Sequence, residues 1–179
     1  MSQSFKIHRF KQIDSTNSAA FRYSEKGAPS GSVFTAAYQT QGRGKWGRSW
    51  VSPRGKNLLF SILLHPKVKS FHAPLVTQIA CRSVAKVLSR KFHLHPAFKR
   101  PNDVLISGKK ICGVLVEAKG RTNGDLESLV IGVGLNVNSK PEELVPGATS
   151  LLVETGRKYS RSRLLTSLLR EFRKDLLGW

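Results

Sequence analysis

With 179 residues, 40% of them hydrophobic, the chain is long enough to bury a core as one domain, and its charge is not dense enough to predict disorder. No apolar run approaches the roughly 20 residues that cross a bilayer, and "MSQSFKIHRF" lacks the apolar region and small-residue cleavage site of a secretion signal. Thirty Lys and Arg against eleven Asp and Glu give a net charge of +19, which asks for an anionic partner without choosing among nucleic acid, nucleotide phosphates and an acidic protein.

In chain order, "IHRFKQI" predicts a strand, and "DSTN" offers capping side chains for a helix over "SAAFRYSEKGAP". Gly27 and Pro29 stop that helix. "SVFTAAYQ" is a second strand, followed at once by "TQGRGKWGRSW". "NLLFSILLHP" is nearly all apolar, the pattern of a strand covered on both faces. Leu75, Val76, Ile79, Ala80, Val84, Val87 and Leu88 fit one helical stripe. "AFKRPNDVLI" and "ICGVLVEAKG" read as two strands joined tightly at Ser107-Gly108-Lys109. A turn around Asn123-Gly124 leads to the glycine-punctuated strand "SLVIGVGLNVNS". Leu164, Leu165, Leu168, Leu169, Phe172 and Leu176 make the apolar stripe of a terminal helix. The predicted class is α+β: a mixed, mostly antiparallel sheet with helices packed on one side. Cys81 and Cys112 each sit in an apolar stretch and are read as buried thiols in a reducing cytoplasm.

Four stretches carry more chemistry than a fold needs. "DSTN", residues 14–17, is explained by helix capping alone. In the glycine-rich loop, Gly42, Gly44 and Gly47 let backbone approach a ligand, and Arg43, Lys45 and Arg48 suit phosphate or carboxylate. It is not a P-loop, because no Gly-Lys-Ser/Thr follows. In "KRPNDVLISGKKICG", Asp103 heads one strand and Lys110 begins the next, so carboxylate and amine are brought toward one site; a surface ion pair of little worth is the plainer reading. In "GVGLNVN", glycines mark a place where something packs close, and Asn136 and Asn138 project to one face. No zinc-finger spacing or RNP aromatic signature is present.

In this order, Ser15-Thr16-Asn17, "GRGKWGRSW", "KRPND", "KICGVLVE" and "GVGLNVN" together resemble the catalytic domain of biotin protein ligases, over essentially the whole chain. "ATSL" at 148–151 also matches. The chain departs from the family pattern at Lys45, where an arginine is usual, at Arg100, where KWPND has its aromatic, and at Cys112, where alanine is usual. The resemblance implies the fold shared with class II aminoacyl-tRNA synthetases, as a single catalytic domain over residues 1–179. Neither the N-terminal DNA-binding domain nor the C-terminal SH3-like domain of some relatives is expected. An arginine-rich lipoate-ligase segment is missing. A lipoate or octanoate ligase or transferase of the same fold, a basic nucleic-acid-binding module, and an inactive ligase-like protein are the rival readings.

The activity implied by the resemblance joins biotin to ATP as biotinyl-5′-AMP, then transfers biotin to one lysine of a biotin carboxyl carrier protein of acetyl-CoA carboxylase. By the same resemblance Lys110, Asp103, Lys45 and Arg43 carry catalysis. Ser15, Thr16, Asn17, Gln39, Gly42, Arg43, Gly44, Lys45, Lys110 and Gly113 contact biotin. Arg43, Arg48, Trp50, Lys99, Asn102 and Asn136 contact ATP, with Mg²⁺ on the phosphates and no protein ligand assigned to it. The tryptophans are expected to form a lid, with Trp50 near adenine. No specific DNA binding and no membrane attachment are expected, and the protein is expected to be a cytoplasmic monomer or homodimer.

Overall fold

A computed structural model describes residues 5–66, 73–120 and 125–176. Among these residues are seven strands, β1 (Lys6–Phe10), β2 (Ser32–Ala36), β3 (Leu58–Leu64), β4 (Pro96–Lys99), β5 (Asp103–Ile106), β6 (Lys109–Gly120) and β7 (Leu126–Leu135). They form one sheet in the order β1-β2-β3-β7-β6-β5-β4. Only β1 and β2 run parallel; every other neighbouring pair is antiparallel. The mixed α+β class is thus as expected. The turn expected at Asn123-Gly124 lies outside the described residues.

Among the described residues four α-helices accompany the sheet: α1 (Thr16–Glu25), α2 (Ala73–Phe92), α3 (Leu151–Thr155) and α4 (Arg161–Leu176). The expected one-sided packing holds for α2 and α4, which share a core with Val33, Phe60, Ile62, Ile131 and Val133. Helix α1 covers the opposite face: Ala19 and Ala20 pack on Phe34, Leu63 and Val130. Strand alternation explains the split, because Phe34 and Val130 are the chain neighbours of Val33 and Ile131 and point the other way. In α4, Leu164, Leu165, Leu168, Leu169 and Phe172 are buried as the stripe predicted; the side chain of Leu176 lies outside the described residues. The stripe in α2 is narrower than predicted, since Leu75 is 45% exposed. Glu171 and Asp175 of α4 hold Lys86 of α2 at 3.6 and 2.6 Å, fixing the two helices to each other. Both cysteines are buried and free, and burial pushes the Cys81 thiol up to about 12.

Two local expectations change. "AFKRPNDVLI" is not one strand but the β4–β5 hairpin, Lys99 opposite Asp103. Pro101, with no N–H for a ladder, sits in the turn. The start of α1 is not capped by its own Ser15, whose side chain makes no capping bond. Gln39, just past β2, takes that role: its Oε1 accepts from Thr16 N at 2.7 Å. Asp14 bonds Arg22 through both oxygens, at 2.7 and 2.8 Å. Among the described residues no helix is long and apolar enough to cross a membrane.

Candidate active site

Beyond α1, the sheet face that helix covers carries a cavity of about 480 Å³. Its floor is bare backbone. A methyl group at Gly132 would meet the Asn17 amide, with Cγ at 2.9 Å and Nδ2 at 3.0 Å, and one at Gly134 would meet the Trp50 indole, with Cζ2 at 2.7 Å. The glycines of "GVG" are therefore where a side chain and a ring lie directly on the strand.

Lys110 reaches this floor through an irregularity. Regular alternation puts residues 110 and 113 on opposite faces. The β5–β6 pairing shifts register between Val104 and Leu105, so Leu105 faces Lys110 while Val104 faces Cys112. Ile111 is the extra residue of this bulge, and it and Cys112 both bury into the core. Lys110 and Gly113 are left on the same face. The tight turn comes from Ser107 and Gly108, both at positive φ, 48° and 77°, as a two-residue hairpin of the right twist requires. Lys110 Nζ then lies 2.7 Å from Asp103 Oδ1 and 5.4 Å from the centre of the Trp50 ring. Asp103 Oδ1 is buried and makes no aligned hydrogen bond, so its close partner is an ion contact. The backbone of Lys110 is held on its outer side by Gly147 O (2.8 Å) and Thr149 N (2.9 Å), and residues 145–148 close that side of the cavity.

At the α1 end runs a row of polar groups. Gln39 Oε1 accepts from Thr16 N and, at 3.0 Å, from its hydroxyl. The Ser61 hydroxyl has Asn17 Oδ1 at 2.5 Å and Thr16 Oγ1 at 2.7 Å to donate to. Asn17 Nδ2 donates to Glu117 Oε2 at 2.7 Å, and Glu117 in turn holds Arg43 at 2.9 Å. Ser15, Thr16 and Asn17 are all buried.

Next to this row lies the glycine-rich loop, folded as a small hairpin: Trp50 N donates to Gly42 O (2.9 Å) and Gly44 N to Arg48 O (2.6 Å). Trp50 lies on the floor. Its Nε1 is buried without a partner among the described residues. Trp46 does not act as a lid here. It stands at the tip at φ 57°, 70% exposed, with Lys45 and Arg48 over its ring at 5.4 and 5.1 Å.

Of the residues expected from sequence, Ser15, Thr16, Asn17, Gln39, Arg43, Gly44, Lys45, Arg48, Trp50, Lys99, Asn102, Asp103, Lys110 and Gly113 line this one cavity. Gly42 lies behind it, pressed on Trp50 O and Gln39. Asn136 is also outside the lining. Its amide accepts from Asn57 Nδ2 (3.1 Å) and donates to Thr149 O (3.0 Å), so it anchors the segment that supports Lys110. Asn138 makes a similar pair of bonds to Tyr159 rather than facing the site. Sequence reasoning missed Ser61, whose one signal is a lone hydroxyl in "LLFSILL", and residues 145–147.

The biotin/lipoate A/B protein ligase family matches residues 9–136. The bifunctional ligase/repressor BirA of Bacillus spizizenii is 34% identical over 166 residues, 90% of this chain and 51% of that protein. The biotin–[acetyl-CoA-carboxylase] ligase of Paracoccus denitrificans is 33% identical over 171 residues, 90% of this chain and 69% of that one. Among solved structures, the biotin protein ligase from Aquifex aeolicus in complex with biotin and ATP matches with a TM-score of 0.80 at 33% identity, covering 96% of this chain and 70% of the other. The chain spans about half the length of the bifunctional ligase/repressors it resembles.

Proposed function

The chain belongs to the biotin/lipoate A/B protein ligase family, and from that premise we propose that it activates biotin with ATP and transfers it to a lysine of a biotin carboxyl carrier protein. The observation that carries this reading is the position of Lys110. Its ammonium stands on the floor of a cavity whose lining combines the neutral amides and hydroxyls of Thr16, Asn17 and Gln39 with the cations Arg43, Lys45 and Arg48. A ureido ring needs both donors and acceptors, which the Gln39–Thr16–Ser61–Asn17 row supplies. A triphosphate needs cations.

In the first step a biotin carboxylate oxygen attacks the α-phosphorus of MgATP, and the bond to pyrophosphate breaks. Two unit anions about 4 Å apart repel by about 4 kcal/mol at an effective dielectric of 20. A lysine fixed between them turns that repulsion into attraction as the transition state forms. Magnesium belongs to the substrate, where it neutralises phosphate charge. The single carboxylate among the described lining residues, Asp103, is already engaged by Lys110.

In the second step the carrier amine attacks the acyl carbon, the acyl–oxygen bond to AMP breaks, and the amine loses a proton. A free lysine of pKa about 10.4 is neutral in about one molecule in 2,500 at pH 7. Asp103 is the group placed to orient that amine and take its proton. The buried free cysteines suit a reducing compartment, and we place the reaction in the cytoplasm.

The test mixes the protein with MgATP, biotin and the carrier domain of an acetyl-CoA carboxylase. Streptavidin blotting follows transfer, and biotin-dependent ATP–pyrophosphate exchange follows the first step. Absence of both in the wild-type protein sinks the reading.

A further inference from the structure

A second cavity, of about 290 Å³, lies between α2 and the β4–β5 hairpin. Leu75, Ile79, Phe98 and Pro101 give it apolar walls, and Arg82 and Arg100 stand beside them. Phe98 is 55% exposed and Leu75 is 45% exposed. A large ring on an edge strand beside an exposed helix leucine is an apolar patch with no partner in the fold among the described residues. Lys99, Asn102 and Asp103 line both cavities, so Asp103 is approached from two directions.

We propose that this second cavity is the docking site of the acceptor protein, a folded domain that seats an apolar side chain between Phe98 and Leu75 and surrounds it with acidic residues. The proposal rests on the ligase reading. Three observations carry it. The acceptor amine has to arrive at Asp103 while the first cavity holds the adenylate, and the second cavity is the other approach to that carboxylate. The charge there is in excess of what small substrates use: the loop cations serve the phosphates, whereas Arg82 and Arg100 lie outside the first cavity. Among the described residues no acidic side chain lines the second cavity except Asp103, so its field selects an anionic partner. Arg100 also stands where the family motif has an aromatic residue, which makes this patch a place where this chain sets its own partner preference.

The experiment compares wild type with Phe98→Ser and with the double variant Arg82→Glu/Arg100→Glu. It measures biotin-dependent pyrophosphate exchange and steady-state transfer to the carrier domain. Expected are an unchanged exchange rate and a KM for carrier raised about tenfold or more in each variant, with kcat within about twofold, as for loss of a central anchor or of a charge complement. Wild-type kcat/KM for carrier falls as salt rises, and the double variant loses that dependence. An unchanged carrier KM with intact exchange overturns the docking site and leaves the ligase reading standing. Exchange lost in the variants overturns it too, by giving this face a part in the first step. Should Phe98→Ser convert a dimer to a monomer and leave carrier kinetics alone, the face joins copies of this chain and the proposal falls. No exchange in wild type removes the ligase reading and the docking site together.

Discussion

Replacing Gly134 by alanine tests whether Trp50 is a structural plug or a wall of the ligand site. The new methyl would lie 2.7 Å from Cζ2 and 2.9 Å from Cδ2 of the Trp50 ring, against an optimum of about 3.5–4.0 Å between carbons. The ring must retreat by about an ångström. Forcing a methyl into a filled space costs about 1–3 kcal/mol, and the architecture decides where that cost falls. Trp50 belongs to a hairpin closed by two backbone bonds, with an exposed tip at Trp46, so in the free protein the hairpin lifts and the strain is released. With ligand bound it cannot lift, and affinity drops by about 5–150-fold. Gly132→Ala is the control. Its methyl meets Asn17, which Ser61, Leu115 and Glu117 hold in place, so the cost appears in folding, as a loss of about 2–12 °C in Tm for a chain of this size, alongside any loss of affinity through Asn17. Calorimetric titration with a non-hydrolysable biotinyl-adenylate analogue, beside thermal melts, separates the two. Were Gly134→Ala to bind the analogue within about twofold of wild type, Trp50 would not border the ligand. A melt lowered as much as that of Gly132→Ala would show that the hairpin is not the compliant element.

Lys110→Ala should abolish pyrophosphate exchange, whereas Asp103→Asn should leave exchange largely intact and slow transfer to carrier by about 10²–10⁴-fold, the usual worth of a positioned general base; single-turnover kinetics on preformed adenylate would read this. Ser61→Ala strips Asn17 and Thr16 of a buried partner, which costs about 1–3 kcal/mol, and should weaken biotin binding together with stability in urea unfolding. The bidentate bond from Arg22 holds the Asp14 carboxyl at about 2, below its ordinary 3.8. Because the folded value is the lower one, the stabilisation is complete above pH 3.8 and disappears as pH falls through 2. The difference in urea midpoint between wild type and Asp14→Asn should therefore be constant near neutrality and vanish across that window, modestly in size because the pair is half-exposed.

How much of this was visible in the chain depends on how local each determinant is. The apolar run "NLLFSILLHP" placed β3, the segments "ICGVLVEAKG" and "SLVIGVGLNVNS" placed β6 and β7, and the α4 stripe is buried from Leu164 to Phe172 because 3.6-residue periodicity is a property of the segment itself. The side taken by α1 was not readable: a strand buried on both faces, such as β3, announces that something covers each face but not which helix does. The same ambiguity hid Ser61, a hydroxyl that looks like a tolerated impurity in "LLFSILL" until Thr16 and Asn17 dock on it. The motif letters located Asn136, but its work is done through Asn57 and Thr149, which no spacing in "GVGLNVN" foretells. Lys110 shows the limit most clearly. It lies three residues before Gly113, and a regular strand would turn it away from the glycine floor and into the core with Cys112. One extra residue at Ile111 reverses that parity, and bulges have no reliable local signature. Period-two reasoning alone would thus have turned away from the site the amine proposed for the first step; the tight hairpin that brings Lys110 to Asp103, and then the resemblance of "KICGVLVE", kept Lys110 among the candidates.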